Sequence, residues 1–238
     1  MALQDLGLEM AGSASGDACL SLGSAAANTS LSGLICRGGR HGLEAAGVAG
    51  TELADCLFGC GGQRHGLVVT GDCDDWRIRS CTFADLAGTA ITADAGAGAV
   101  LDGWTVAGCT FLNGRAPTVQ PGACLEIPRA ADLAVTGNDF SGFLAVAILC
   151  ANPARATAGT EPPPAGITIR GNHFHHGRGG CTLATRGVIT VNHGVDGLCI
   201  SANTIDGIHD ASGILLQLAP ASTWQRLAGV RITRHASR

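Results

Sequence analysis

LADCLF (53–58), IRSCTF (78–83), VAGCTF (106–111), VTGNDF (135–140), IRGNHF (169–174) and ISANTI (200–205) are six versions of one phrase. An aliphatic residue is followed three positions on by Cys or Asn, and two further on by Phe or Ile. The anchors are Cys56, Cys81, Cys109, Asn138, Asn172 and Asn203, and five of the six Phe stand two places after one of them. Five residues ahead of an anchor come Trp76, Trp104, Leu133, Ile167 and Leu198, so apolar and small or polar side chains alternate as they do along a strand. A weaker copy, VRITRHAS with His235 at the anchor, closes the sequence.

Each phrase is followed by a turn and a second apolar strand: HGLEAAG (41–47), HGLVVTG (65–71), TAITADA (89–95), ACLEIPR (123–129), AVAILCA (145–151), GVITVNH (187–193) and SGILLQL (212–218). Short strands, Gly at the corners and no helical periodicity describe an all-β solenoid, a parallel β-helix of about seven to eight coils. Equal positions on successive coils then stack about 4.8 Å apart and form ladders. Asn is expected to turn the corner in the left-handed conformation while its amide bonds to the next rung. Cys replaces it in the first half as a compact, unpaired apolar residue.

Composition agrees with tight coils. Of 238 residues 36 are Gly, 46% are hydrophobic and only 4% aromatic, there is no Tyr or Lys, and mean hydropathy is +0.26. A net charge of −4 and a pI near 6.0 exclude the basic surface that a nucleic-acid partner requires. No apolar run has the roughly 18 residues of a membrane span. The start MALQDLGLEMAGSASG lacks a signal peptide's basic and apolar regions, so the chain reads as cytoplasmic or as a piece of an exported or phage protein. Residues 1–16 are expected to cap a single domain of residues 17–238. The last phrase breaks off uncapped, which predicts either a continuation or a homo-oligomer that covers the final coil.

The repeat resembles the right-handed parallel β-helix of the pectin-lyase-like superfamily, whose coils carry an Asn ladder at the turn between the second and third strands. The resemblance spans roughly residues 17–238. It implies a protein acting on a polysaccharide or oligosaccharide as lyase, hydrolase or epimerase, in a groove over the first sheet. The alternative is a non-catalytic glycan-binding, adhesin-like or structural solenoid. None of the superfamily's diagnostic active-site motifs is present, so no catalytic residue is carried over.

The first-sheet strands align with an outward row of Glu44, Val68, Thr92, Glu126, Leu149, Thr190 and Leu216, followed two residues on by a row containing Asp94, Asn192 and Leu218. The longest loops (112–122, 152–166 and 175–187) fall in the middle and later coils, and long loops on a regular solenoid mark its functional face. Asp94, Glu126, Arg129 and His193 are therefore the expected catalytic group, with Asn192, His175, His176 and Arg178 binding substrate. Two carboxylates one or two coils apart fit glycoside hydrolysis. A lyase or epimerase needs a cation near the uronate and a base, for which Arg129 and His193 stand ready.

No cofactor is expected. Cys56 and Cys60 form an isolated pair without zinc-ribbon spacing. Asp72, Asp74 and Asp75 in GDCDDW are the one weak Ca2+ candidate. His41 and His65, each within an RHGL tetrapeptide, read as stacked corner residues, and HFHH (173–176) reads as surface histidines that need not share a face.

Overall fold

The computed structural model describes residues 1–10, 17–59, 63–96, 100–112, 123–143, 146–150, 165–176, 187–192, 195–206, 212–217, 227–228, 231–233 and 236–237. Within them lie 29 strands and a single 3-10 turn, Ser24–Ala26. The strands form three parallel sheets of twelve, nine and eight members, called here sheets I, II and III. The chain visits the sheets in turn, so each strand pairs with its counterparts one coil before and one coil after. Ile78 lies between Leu53 and Val106 in sheet I, Phe83 between Phe58 and Phe111 in sheet II, and Leu67 between Leu43 and Ile91 in sheet III. This is the arrangement of a parallel β-solenoid. Among the described residues no helix is long and apolar enough to cross a membrane.

Inside, the repeat phrase becomes a column of rings. Phe58, Phe83, Phe111, Phe140 and Phe174 stack with centroids 4.5–5.2 Å apart and planes within 14°. Trp76 and Trp104 stack at 5.3 Å, and their indole N–H groups donate to the carbonyls of Val48 and Cys73. Each buried ring contributes about 1.5–3 kcal/mol. Repetition at one spacing sets the register of the coils.

The corner between sheets I and II departs from expectation. The anchor is not the left-handed residue. That conformation falls on the residue before it: Gly137 (φ 63°), Gly171 (66°) and Ala202 (54°) ahead of the three Asn, and Asp55 (55°), Ser80 (54°) and Gly108 (61°) ahead of the three Cys. The anchor side chain is thereby turned into the core, where Asn138, Asn172 and Asn203 are at most 2% exposed. A second left-handed corner precedes sheet I. There Asp75 (φ 58°) is followed one coil later by Gly103 (68°), and a Cβ on Gly103 would stand 2.6 Å from Asp75 Oδ1.

Sheet II has nine described strands, against the seven to eight coils expected. The additional ones, Gly7–Met10 and Ile35–Gly38, follow Leu6 and Leu34 at the anchor position. Residues 2–10, expected within a cap, supply strands to sheets I and II. In sheet III the last strand is shifted by one from the expected row: Thr190 pairs with Leu215 and Asn192 with Gln217, rather than with Leu216 and Leu218.

Candidate functional site

Sheet III was expected to carry the site, and its alternation is as expected in the middle coils. Ile91 and Ala93 are buried, while Thr92 and Asp94 face out and are half-buried. On the next coil Leu125 and Ile127 are buried and Glu126 faces out, opposite Thr92. Asp94 lies two residues beyond Thr92 on the same strand. The strand spacing and rise therefore put its Cα roughly 8 Å from that of Glu126.

Arg129 joins the same neighbourhood. It is 8% exposed and its guanidinium donates to the Gly96 carbonyl, while the Gly96 N–H donates to Asp94 Oδ1 at 3.1 Å. The cation and the carboxylate thus hold one corner residue from two coils.

Farther along, the outer face closes. Leu149 and Thr190 are on the outward row yet only 6% and 2% exposed, and Leu149 packs with Ala123 and Val146 in a small apolar cluster separate from the main core. Asn192 ends the strand Gly187–Asn192. Arg178 and His193 lie outside the described residues, as do most of the loops 112–122, 152–166 and 175–187.

His175 and His176 are not on this sheet. His175 ends the strand His173–His175 of sheet II, and His176 follows it in a left-handed turn (φ 52°). Phe174 points into the core, so the alternation turns both His173 and His175 outward, contrary to the expectation that they need not share a face. They meet carboxylates from both neighbouring coils. His175 Nε2–H donates to Asp139 Oδ1 (2.8 Å), His173 Nδ1 lies 3.5 Å from the same oxygen, and His173 Nε2–H donates to Asp206 Oδ2 (3.2 Å). The His173 and His175 rings stack at 4.4 Å, and His175 Nδ1 is 2.7 Å from His176 Nδ1. Ligand atoms of Asp139, His173 and His175 all fall within 4.8 Å of one another, and among the described residues this is the group so placed. Asp139 and Asp206 were legible as the outward positions beside Phe140 and Ile205, but only once strand register is known.

Among the other candidates, Asp74 and Asp75 lie at corners. Asp74 Oδ1 accepts the Asp102 N–H (2.8 Å), Asp75 is the left-handed residue above Gly103, and Asp72 is exposed. His41 and His65 stack at 5.3 Å on adjacent coils. Burial pulls both below the ordinary value, His65 to about 4, and the Thr89 N–H donates to His65 Nδ1 (3.2 Å). The nine described cysteines are free thiols.

No family model matches the chain, and neither a curated protein nor a solved structure does.

Proposed function

We propose that the solenoid is a right-handed parallel β-helix of the pectin-lyase-like kind and that it acts on a polysaccharide along the outer face of sheet III, with Asp94 and Glu126 as the reacting carboxylates. Two features support the fold reading. Crossovers between parallel strands are almost always right-handed, because strand twist favours that sense. The three Asn rungs also stand between the second and third strands of their coils, sheet III supplying the first, where the resemblance has them.

The observation that carries the activity is the placement of Asp94 and Glu126 on neighbouring strands of one outward face. A separation of roughly 8 Å between their Cα atoms allows the carboxyl groups either the ~5.5 Å of a retaining or the ~6.5–9.5 Å of an inverting glycosidase. Arg129 already donates to the Gly96 carbonyl, and the described histidines of the expected group sit on sheet II. The chemistry best matched is therefore hydrolysis by two carboxylates, ahead of β-elimination or epimerisation.

The test is reducing-end release from a panel of neutral and acidic glycans, run beside an assay for unsaturated uronates. Asp94→Asn and Glu126→Gln should each lower hydrolysis by about 100-fold or more, the contribution of a positioned acid or base. Flat signals in both assays overturn the catalytic reading.

A second reading, non-catalytic glycan binding or a structural role, has its own support. All six Phe and both described Trp are at most 2% exposed, so no described aromatic ring forms a platform for a sugar. Binding on a glycan array without turnover would select it.

A further inference from the structure

We propose that Asp139, His173 and His175 form a divalent metal site of the zinc class on the outer face of sheet II, with Asp206 and His176 as the outer partners that orient the two imidazoles. The inference is independent of the reading for sheet III, since it rests on another sheet and on other residues.

The donor set is two imidazole nitrogens and one carboxylate oxygen, a combination suited to Zn2+ and its first-row neighbours rather than to Ca2+ or Mg2+. Bonds of about 2.0–2.1 Å on a tetrahedron leave neighbouring ligand atoms about 3.4 Å apart. The donor contacts of 2.8 and 3.5 Å from Asp139 Oδ1 bracket that value, and the whole set lies within 4.8 Å. Only small side-chain rotations are needed.

The hydrogen bonds around the rings select the nitrogens. Asp206 Oδ2 accepts a hydrogen bond from His173 Nε2–H, which in the neutral ring leaves Nδ1 as the ligand nitrogen, 3.5 Å from Asp139 Oδ1. A spacing of 3.5 Å between these two atoms is one that a single bridging cation fits. His175 offers Nε2 to the same carboxylate, and its Nδ1 is in contact with His176 Nδ1 (2.7 Å). With Nε2 on a metal ion, the ring proton moves to Nδ1 and is donated to His176. Each ligating imidazole thus has a partner on its other nitrogen, the arrangement that fixes tautomer and ring direction at metal sites.

The platform beneath is rigid. Asp139 and His173 directly follow Asn138 and Asn172, Asp206 lies three residues after Asn203, and Phe140 and Phe174 anchor the same strands from inside. Three protein ligands leave a fourth position for water or a substrate oxygen.

The experiment titrates Zn2+ into the full chain, its accessible thiols alkylated beforehand, in competition with a chromophoric chelator. Co2+ serves as the spectroscopic probe. One equivalent should bind, and the Co2+ form should show d–d absorption of a nitrogen and oxygen site without thiolate charge transfer. His175→Ala and Asp139→Asn should weaken binding by about 100-fold or more, and Asp206→Asn by about 10-fold. Glu9→Gln, exposed on a distant strand of the same sheet, should leave affinity unchanged. All the substituted side chains are on the outer surface, and circular dichroism and thermal melting verify that each variant is folded. Absence of stoichiometric binding, affinity that survives His175→Ala in a folded variant, or a Co2+ spectrum dominated by thiolate overturns the proposal.

Discussion

From Cys56 to Cys109 the anchor row consists of thiols, and from Asn138 to Asn203 it consists of carboxamides, yet both aim at the same backbone groups. Asn138, Asn172 and Asn203 donate through Nδ2 to the carbonyls of Val106, Val135 and Ile169 at 2.9–3.0 Å. Cys56 and Cys109 point Sγ at the equivalent carbonyls of Leu31 and Ile78, but at 3.7 and 3.6 Å. The amides also bond to one another at 3.0 Å, and Oδ1 of one rung accepts the backbone N–H of the rung before it. Each interior Asn is thus bonded on both sides, whereas a thiol offers weak directional contacts and holds its corner mainly by filling it. The corner requires a compact side chain turned inward, and the hydrogen-bonded ladder is a further layer of order. The Asp139, His173 and His175 cluster stands on the carboxamide half, where the backbone is held more tightly.

The largest expected effect is the response to alkali, which comes from buried thiols of the anchor row and of sheet III and not from the carboxamides. Burial pushes the Cys36 thiol up to about 12, and contact with Cys109 followed by burial does the same for Cys81. In sheet III burial alone carries Cys124 and Cys150 to about 12. An unfolded chain releases these protons near the ordinary value of 9.0, while the folded chain keeps them. Above that value the unfolded state binds fewer protons, so stability falls as pH rises from about 9 towards 12, by about 1 kcal/mol per pH unit for each thiol. Unfolding free energies measured by denaturant titration should fall between pH 8 and pH 10.5, with part of the Cys81 contribution offset by Cys109, whose thiol the contact with Cys81 lowers. Cys81→Ala should reduce the slope, whereas Asn172→Ala should leave it unchanged, since an amide does not titrate.

Asn172→Ala has the next largest effect. Its loss strands the Val135 carbonyl, the Asn138 N–H and the facing amide groups of Asn138 and Asn203, all buried. A cost of about 3–5 kcal/mol is expected in urea unfolding. Cys81→Ala at pH 7 removes only volume and weak contacts, and should cost about 1–2 kcal/mol. Equal costs for the two variants would erase the distinction between the halves.

How far the fold was legible follows from which residues carry the repeat. Where Phe and Cys or Asn coincide, as at Cys109 and Phe111, the phrase identified the strand, its inner face and its partners. The coils at Leu6 and Leu34 were hidden because Leu replaces the anchor, and Leu8 and Cys36 replace the ring. The shift at Leu215 arose because Ile214, Leu215 and Leu216 are three apolar residues in succession, which leaves two registers open to alternation, and Gln217 opposite Asn192 was the one polar residue that marked the row. The candidate site was less legible. Asp94 and Glu126 could be placed from alternation within their strands, but the burial of Leu149 and Thr190 is a tertiary property that no strand pattern records. The convergence of Asp139, His173 and Asp206 spans three coils separated by more than thirty residues each, and it emerges only when their register is known.

The junction between the halves offers the finest test. The Cys109 N–H already donates to Asn138 Oδ1 at 2.8 Å, just as the Asn138 N–H donates to Asn172 Oδ1 at 2.9 Å. An amide in place of the Cys109 thiol would find the Ile78 carbonyl where Sγ now points, and Asn138 Oδ1 where the next rung belongs. Against these two bonds, each worth about 0.5–1.5 kcal/mol, stands the added bulk of the amide beside Cys81, and overpacking of a core costs about 1–3 kcal/mol. Because the acceptors are already in position, Cys109→Asn should be neutral or stabilising by up to about 1 kcal/mol, with Cys109 exchanged for a rung that extends the ladder by one coil. Urea unfolding measures the balance, and protection from hydrogen exchange of the side-chain amide introduced at position 109 shows whether the rung has formed, since the Asn138 amide is already bonded to Val106 and Asn172. A loss of more than about 2 kcal/mol would mean that the thiol half is spaced for sulfur, and that the two halves are different corners rather than two versions of one.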